Sequence, residues 1–232
     1  YALSPYLLDY GARISVILLP FAGLPWLVAL AARSGRRGGW RDPALFALMV
    51  VAAMAAGAAL LLLPAWLKAR MAVDEVVTTL LLNFIVLLFV SAMLDGPMKD
   101  PTALGWPQSV VVKPELELGR LMERSRLHTG FAWAIGAALL LAALNRATAL
   151  GFEMRSVGTD PRAAGFLGMN VRAVVLKTAL ISGALAGLAG AIEVAGRTTY
   201  VTLDMSPGYG YSGIVIAMLA GLSPLRVVVA AI

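Results

Sequence analysis

The chain contains no cysteine and one histidine, and charged residues occupy only 14% of its 232 positions. Without thiols there can be no disulfide, no thiolate metal site and no cysteine nucleophile. A single histidine leaves no basis for a histidine-ligated metal centre, so neither a metal nor another cofactor is expected. So little charge over this length excludes a soluble domain. What is there instead is apolar. Hydrophobic residues make up 60% of the chain and the mean hydropathy is +0.83, which marks an all-α polytopic integral membrane helix bundle. The net charge of +6 does not point to nucleic acid. The basic residues sit between apolar runs, not along one stripe with interleaved aromatics, and flanking positive charge is ordinary in a membrane protein.

A helix needs about 20 apolar residues to cross roughly 30 Å of hydrocarbon, and about six runs approach that length. Residues 1–13 read as an interfacial lead-in. Residues 14–32 form a first span, kinked by Pro20, Gly23 and Pro25. An arginine-rich loop with Arg33, Arg36, Arg37 and Arg41 leads to residues 43–66, an alanine-rich span whose Gly57 permits close helix approach. Residues 75–94 follow, with Asp74 placed to start the helix and Thr78, Thr79 and Asn83 as its polar residues. Residues 95–129 are too polar for lipid and, with four prolines, cannot be one helix. They are expected to be an extracytoplasmic loop, with His128 a solvated side chain at its boundary. Spans at residues 130–147 and 174–195 enclose a polar segment. The last apolar run, residues 211–232, is interrupted at Gly221, Ser223 and Pro224, giving two half-helices or a re-entrant pair. The first residues lack an initiator Met and the last lie within an apolar run. Residues 1–232 are therefore expected to be one transmembrane domain, incomplete at both ends.

Residues 151–171, GFEMRSVGTDPRAAGFLGMNV, are the densest cluster of chain-ending and chain-starting signals. Thr159 or Asp160 can cap a helix whose first turn holds Pro161, Gly168 can stop it, and Asn170 can cap the next. The pattern predicts short helices between the fourth and fifth spans. If this segment is cytoplasmic, alternation puts the arginine loop and residues 95–129 outside. Counting lysine and arginine favours the opposite orientation, although the long loop offsets its basic residues with Asp95, Asp100, Glu115, Glu117 and Glu123.

The Gly-Phe-Glu-x-Arg-x-Val-Gly-x-Asp-Pro-Arg-Ala-Ala core of this segment resembles the cytoplasmic coupling loop of ABC importer permeases of the ribose, branched-chain amino acid and nucleoside group. DEVVTTLLLNF at residues 74–84, GPMKDPTALGWPQS at 96–109, SGALAGLAGAIEVAG at 182–196 and SPGYGYSGI at 206–214 are similar, in order, to the longer permease that accompanies a basic-membrane-lipoprotein type receptor for nucleosides or simple sugars. The likeness runs from about residue 67 to the C-terminus. Residues 1–70 hold no match to the family's Asn-x-Gly-x-Glu-Gly-Gln element and are expected to be divergent.

The resemblance implies a permease subunit of an importer in a bacterial plasma (inner) membrane. Its expected partners are cytoplasmic ATP-binding-cassette ATPases, a second permease subunit, an extracytoplasmic substrate-binding lipoprotein and membrane lipids, with no nucleic acid. ATP would be hydrolysed on the ATPases, so the chain itself is not expected to be an enzyme. Residues 149–173 become the cytoplasmic coupling loop, with Arg155, Gly158, Asp160, Pro161, Arg162, Ala163, Ala164 and Gly168 as ATPase-coupling residues. Caps alone also fit an interfacial helix that anchors a loop.

Asn83, Ser182 and Glu193 are candidates for the translocation path. Asn83 has the donors and acceptors for a sugar or base but could equally bridge two helices. Glu193, an ionisable group in an apolar run, faces either a cavity or interfacial water near Gly196. Gly183, Gly187 and Gly190 have the small-residue spacing of helix packing. Two other function classes compete. A secondary, ion-coupled transporter of a small polar solute would show inverted repeats and a mid-membrane carboxylate, and no repeat is visible. An intramembrane enzyme would need a nucleophile and base or a metal cluster, for which the residues are missing.

Overall fold

A computed structural model describes residues 42–71, 73–112, 118, 129–205 and 209–231. The proposed first span, the arginine loop and His128 lie outside them. The described residues are nearly all helical, and the only strand-like pairing among them is an antiparallel bridge between Lys99 and Ser109.

Helix α1, Asp42–Met71, is continuous through Pro64 and ends on Lys68 and Arg70. The Arg70 guanidinium lies 5.6 Å from the Trp66 ring centroid, a pairing suited to the membrane–water boundary. Helix α2, Glu75–Asp95, starts directly after Asp74, whose carbonyl accepts from the Thr78 amide at 3.3 Å and the Thr78 hydroxyl at 2.7 Å. Helix α3, Gly130–Ala147, is followed at once by α4, Ala149–Thr159, and α5, Pro161–Phe166. Helix α6, Val171–Glu193, runs into a π turn at Val194–Thr198. Helices α7, Tyr209–Leu219, and α8, Pro224–Ala230, complete the order.

Among the described residues, four stretches are long and apolar enough to cross a bilayer: Phe46–Met71, Val77–Asp95, Gly130–Ala147 and Val171–Thr198. Ser212–Leu219 and Pro224–Ala230 meet at a bend of 117° and can count as one further, broken span. The break falls at Gly221 and Leu222, both at positive φ, with Pro224 opening α8. Outward faces of α2 carry Phe84, Ile85 and Leu88 exposed, the surface a bilayer would cover. The chain is thus a polytopic helical membrane bundle.

Its central seam is the antiparallel contact of α1 with α6. Met49, Ala53, Gly57 and Leu61 repeat every fourth residue along α1 and are buried. They meet the α6 stripe Ala179, Gly183, Gly187 and Ala191, buried likewise. A Cβ built on Gly183 would fall 2.8 Å from Cα of Ala58, and one on Gly187 2.7 Å from the carbonyl carbon of Ala53, so only glycine allows this approach. Gly190 is buried on the same face.

At one end of the bundle, Leu82, Val86, Val90 and Leu94 of α2 pack with Met49 and Ala53, with Ala191 and Val194, and with Val112, Val201 and Met205 from the connections. Buried Ser109 joins those connections: its amide donates to the Val201 carbonyl at 3.0 Å and its Oγ accepts from the Val201 amide at 2.9 Å. Residues 97–112 and 199–205 therefore share one end. Because α3 and α6 each cross the bundle, α4 and α5 occupy the other.

Candidate functional site

The α4–α5 segment is built from caps. Thr148 is extended, and its Oγ1 accepts from the Gly151 amide at 3.0 Å while donating to the Leu144 carbonyl at 2.6 Å. It thereby ends α3 and begins α4 in one residue. Gly151 is pressed on α3: a Cβ there would fall 2.6 Å from Cα of Asn145. Asp160 Oδ1 accepts from the amides of Arg162 at 2.8 Å and Ala163 at 3.2 Å, and Pro161 takes the first turn of α5, where no amide donor is missed. Thr159 turns its hydroxyl back to the Arg155 carbonyl at 2.9 Å, leaving the cap to Asp160. Gly168 stops α5 at φ +82°, and the Met169 amide closes on the Ala164 carbonyl at 3.1 Å. Asn170 then caps α6 through the Ala173 amide at 3.1 Å.

The capping signals for α5 and α6 thus act where the sequence places them, but the helix opened by Asn170 is the long α6 itself. The second short helix lies upstream, as α4. Its cap, Thr148, stands outside the signal-rich stretch and immediately after an apolar span, where a threonine attracts no notice.

A small core fixes the segment to the bundle. Met154 and Val157 of α4, Ala164 of α5 and Val174 of α6 are buried together, with Leu144, Leu150, Met169, Val171 and Ile181 against them. Gly158 is buried within α4. The opposite surface presents Arg155, Arg162, Ala163 and Gly168 exposed. Beside them Phe166 is 93% and Leu167 75% exposed, an apolar tip on a charged surface that the residue pattern did not single out. The segment is thus attached firmly behind and presents a mixed basic and apolar surface in front.

Asn83 lies on the buried side of α2, half-buried between Leu82 and Val86. Ser182 and Glu193 are roughly three turns apart and share one face of α6, offset from the glycine seam. The α2 stripe and the end of α6 belong to one core through α1 and the connections, but α2 and α6 each pack chiefly on α1, so Asn83 is not brought against Ser182 or Glu193. Glu193 is ion-paired: its Oε1 accepts from Arg197 Nη1 at 2.8 Å. Arg197 and its further contact, Tyr209, were not singled out from sequence. The i,i+4 spacing of Glu193 and Arg197 was a signal, but the Tyr209 contact is tertiary. Among the described residues no group of acidic or histidine side chains could hold a metal ion.

A helical bundle that carries a rigidly docked pair of short helices at one end defines the class of polytopic helical membrane proteins. Residues 15–232 match the family described as branched-chain amino acid transport system, permease component, and the chain belongs to that family. It is 35% identical over 188 residues to the guanosine ABC transporter permease protein NupP of Bacillus subtilis, covering 79% of this chain and 53% of that protein. It is 35% identical over 197 residues to the glucose ABC transporter permease protein TsgB13 of Haloferax volcanii, covering 81% and 52%. The nucleoside ABC transporter permease protein NupB of Lactococcus lactis is 29% identical over 193 residues, covering 80% and 53%. The chain spans about half the length of these relatives. No solved structure matches it at a significant level.

Proposed function

We propose that this chain forms the translocating part of an ATP-binding-cassette importer in the bacterial plasma membrane, moving a nucleoside or simple sugar-like solute by alternating access. The observation that carries the reading is the α4–α5 segment, capped at every end and seated on its own core between two spans. Cytoplasmic ATPases would bind its exposed Arg155, Arg162 and Ala163 surface, and their closure on ATP would move α3 and α6 as a unit. Asp160, Pro161, Ala164, Gly158 and Gly168 keep the segment stiff enough to pass that motion on. A second permease subunit would complete the path beside Asn83, Ser182 and Glu193, and a substrate-binding lipoprotein would deliver solute at the opposite end. The named roles of the similar permeases support this over an ion-coupled carrier.

Reconstitution with candidate ATPases and a receptor tests the assignment. Replacing residues 160–164 by a flexible linker is expected to abolish solute uptake and ATPase association while α1 and α6 remain packed. Unchanged association and uptake would sink the coupling role.

A further inference from the structure

At the end of the bundle away from α4 and α5, three side chains tie α6 to α7. Arg197 Nη1 donates to Glu193 Oε1 at 2.8 Å and to the Tyr209 hydroxyl oxygen, and the guanidinium carbon lies 5.3 Å from the Tyr209 ring centroid. The arrangement depends on the π turn. Its wide loop, closed by the Thr199 amide on the Val194 carbonyl at 3.0 Å, carries Arg197 round toward α7, and Thr199 leaves it at φ +58°. Turns of this kind interrupt a helix at a cost in regularity and are frequent where function requires them.

We propose that Glu193, Arg197 and Tyr209 form a latch across the α6–α7 connection, released as the hydroxyls and ring of an incoming solute take over the Glu193 and Tyr209 contacts. The proposal rests on the reading that α6 lines the path. Glu193 stands on the face it shares with Ser182, beside the glycine seam that is occupied by α1. The Arg197 side chain is 45% exposed and that of Glu193 23%, and an ion pair this open to water is weak enough to exchange.

The backbone around the latch is held by other contacts. The Val112 amide donates to the Thr199 carbonyl, Val201 is tied to Ser109, and the Leu118 amide reaches the Ala195 carbonyl at 2.8 Å. Side chains, not the connection itself, are therefore the part free to change partners. The chemistry fits a sugar-bearing solute. A carboxylate accepts from neighbouring hydroxyls, a tyrosine ring offers a stacking face, and guanidinium supplies fixed donors.

Two readouts on the full chain test the latch. In vesicles with ATPase and receptor partners, Arg197→Gln and Tyr209→Phe are each expected to raise ATP hydrolysis without solute several-fold and to lower the guanosine or glucose moved per ATP. Combining Glu193→Arg with Arg197→Glu keeps an ion pair but moves the carboxylate and takes the guanidinium from Tyr209, so it is expected not to restore the ratio, whereas a purely structural pair would be rescued. The second readout needs neither partners nor transport. The chain has no cysteine, so Ala195→Cys, at a position only 7% exposed, places one thiol in the same π turn, two residues from both Glu193 and Arg197. Its modification by a membrane-impermeant maleimide should become several-fold faster when Tyr209→Phe or Arg197→Gln is added. Unchanged coupling ratio and unchanged labelling, with normal protein levels, would overturn the latch. Faster labelling in a chain that moves neither solute with any ATPase would keep the latch and sink the permease reading.

Discussion

Gly187 of α6 lies backbone to backbone against Ala53 of α1, so close that a Cβ on the glycine would fall 2.7 Å from the alanine's carbonyl carbon. In lipid there is no hydrophobic force between helices, and association depends on this closeness of approach. Gly187→Ala is expected to part the helices and cost about 1–3 kcal/mol, the usual range for overpacking. Gly136→Ala, with nothing within 4 Å of its Cβ, should stay within about 0.5 kcal/mol of the parent. Thermal unfolding in detergent compares the two.

Gly168 holds φ +82° with open space around its missing Cβ, so the only penalty of a side chain there is backbone strain. Gly168→Ala should destabilise the α5–α6 turn by about 1–2 kcal/mol, and Gly168→Asn by less, since asparagine tolerates that region. Hydrogen exchange of the Met169 amide, which closes the turn on Ala164, reports the loss.

Ser109 is fully buried and its Oγ is the acceptor for the Val201 amide. Ser109→Ala leaves that buried donor unpaired, at about 1–3 kcal/mol. The two connections should loosen at their shared end, with faster exchange at Val201 and earlier proteolysis between residues 97 and 112, while the α1–α6 seam is unaffected.

Asp100 accepts at Oδ1 from the Thr102 hydroxyl at 2.6 Å and the Thr102 amide at 2.9 Å. These bonds, foremost the hydroxyl, with help from the Gln108 side chain, hold its carboxyl below the usual aspartate range against partial burial. A depressed folded pKa means that the contribution to stability is present above the unfolded pKa of about 3.9 and is lost as pH falls through the folded value. The turn at residues 100–108 should therefore loosen only in acid below about pH 4. Thr102→Val should raise the Asp100 pKa toward its ordinary value and move the loosening to higher pH. Asp100→Asn should remove the dependence, as followed by NMR titration or acid-pulse proteolysis.

The bundle and most of its ends were legible in the sequence because they rest on local rules. Long apolar runs must become helices in lipid, Asp160 and Asn170 offer side-chain acceptors just ahead of helices, and Gly168 is the residue that turns left-handed without penalty. Residues 130–147 gave α3 directly, and the Gly221–Pro224 interruption gave the bent pair. Extent was less readable. Helix α1 runs on to Met71 and α6 begins at Val171, because polar residues continue a helix beyond the hydrocarbon without interrupting its hydrogen bonds.

The sequence alone determined that this chain is a helical membrane protein with a built segment between two spans, since composition, run length and capping residues act within a few positions of one another. Which helices meet was decided only by the tertiary structure. Small residues in α1 and α6 state that each can be approached closely, but the match of Ala53 with Gly187 and Gly57 with Gly183 requires both stripes in antiparallel register. Likewise Ser109 and Val201, and Arg197 and Tyr209, are distant or unremarkable in the chain. They become partners because folded spans bring their ends to the same side, where buried Ser109 must find an acceptor and donor and the exposed Arg197 finds Tyr209 within reach.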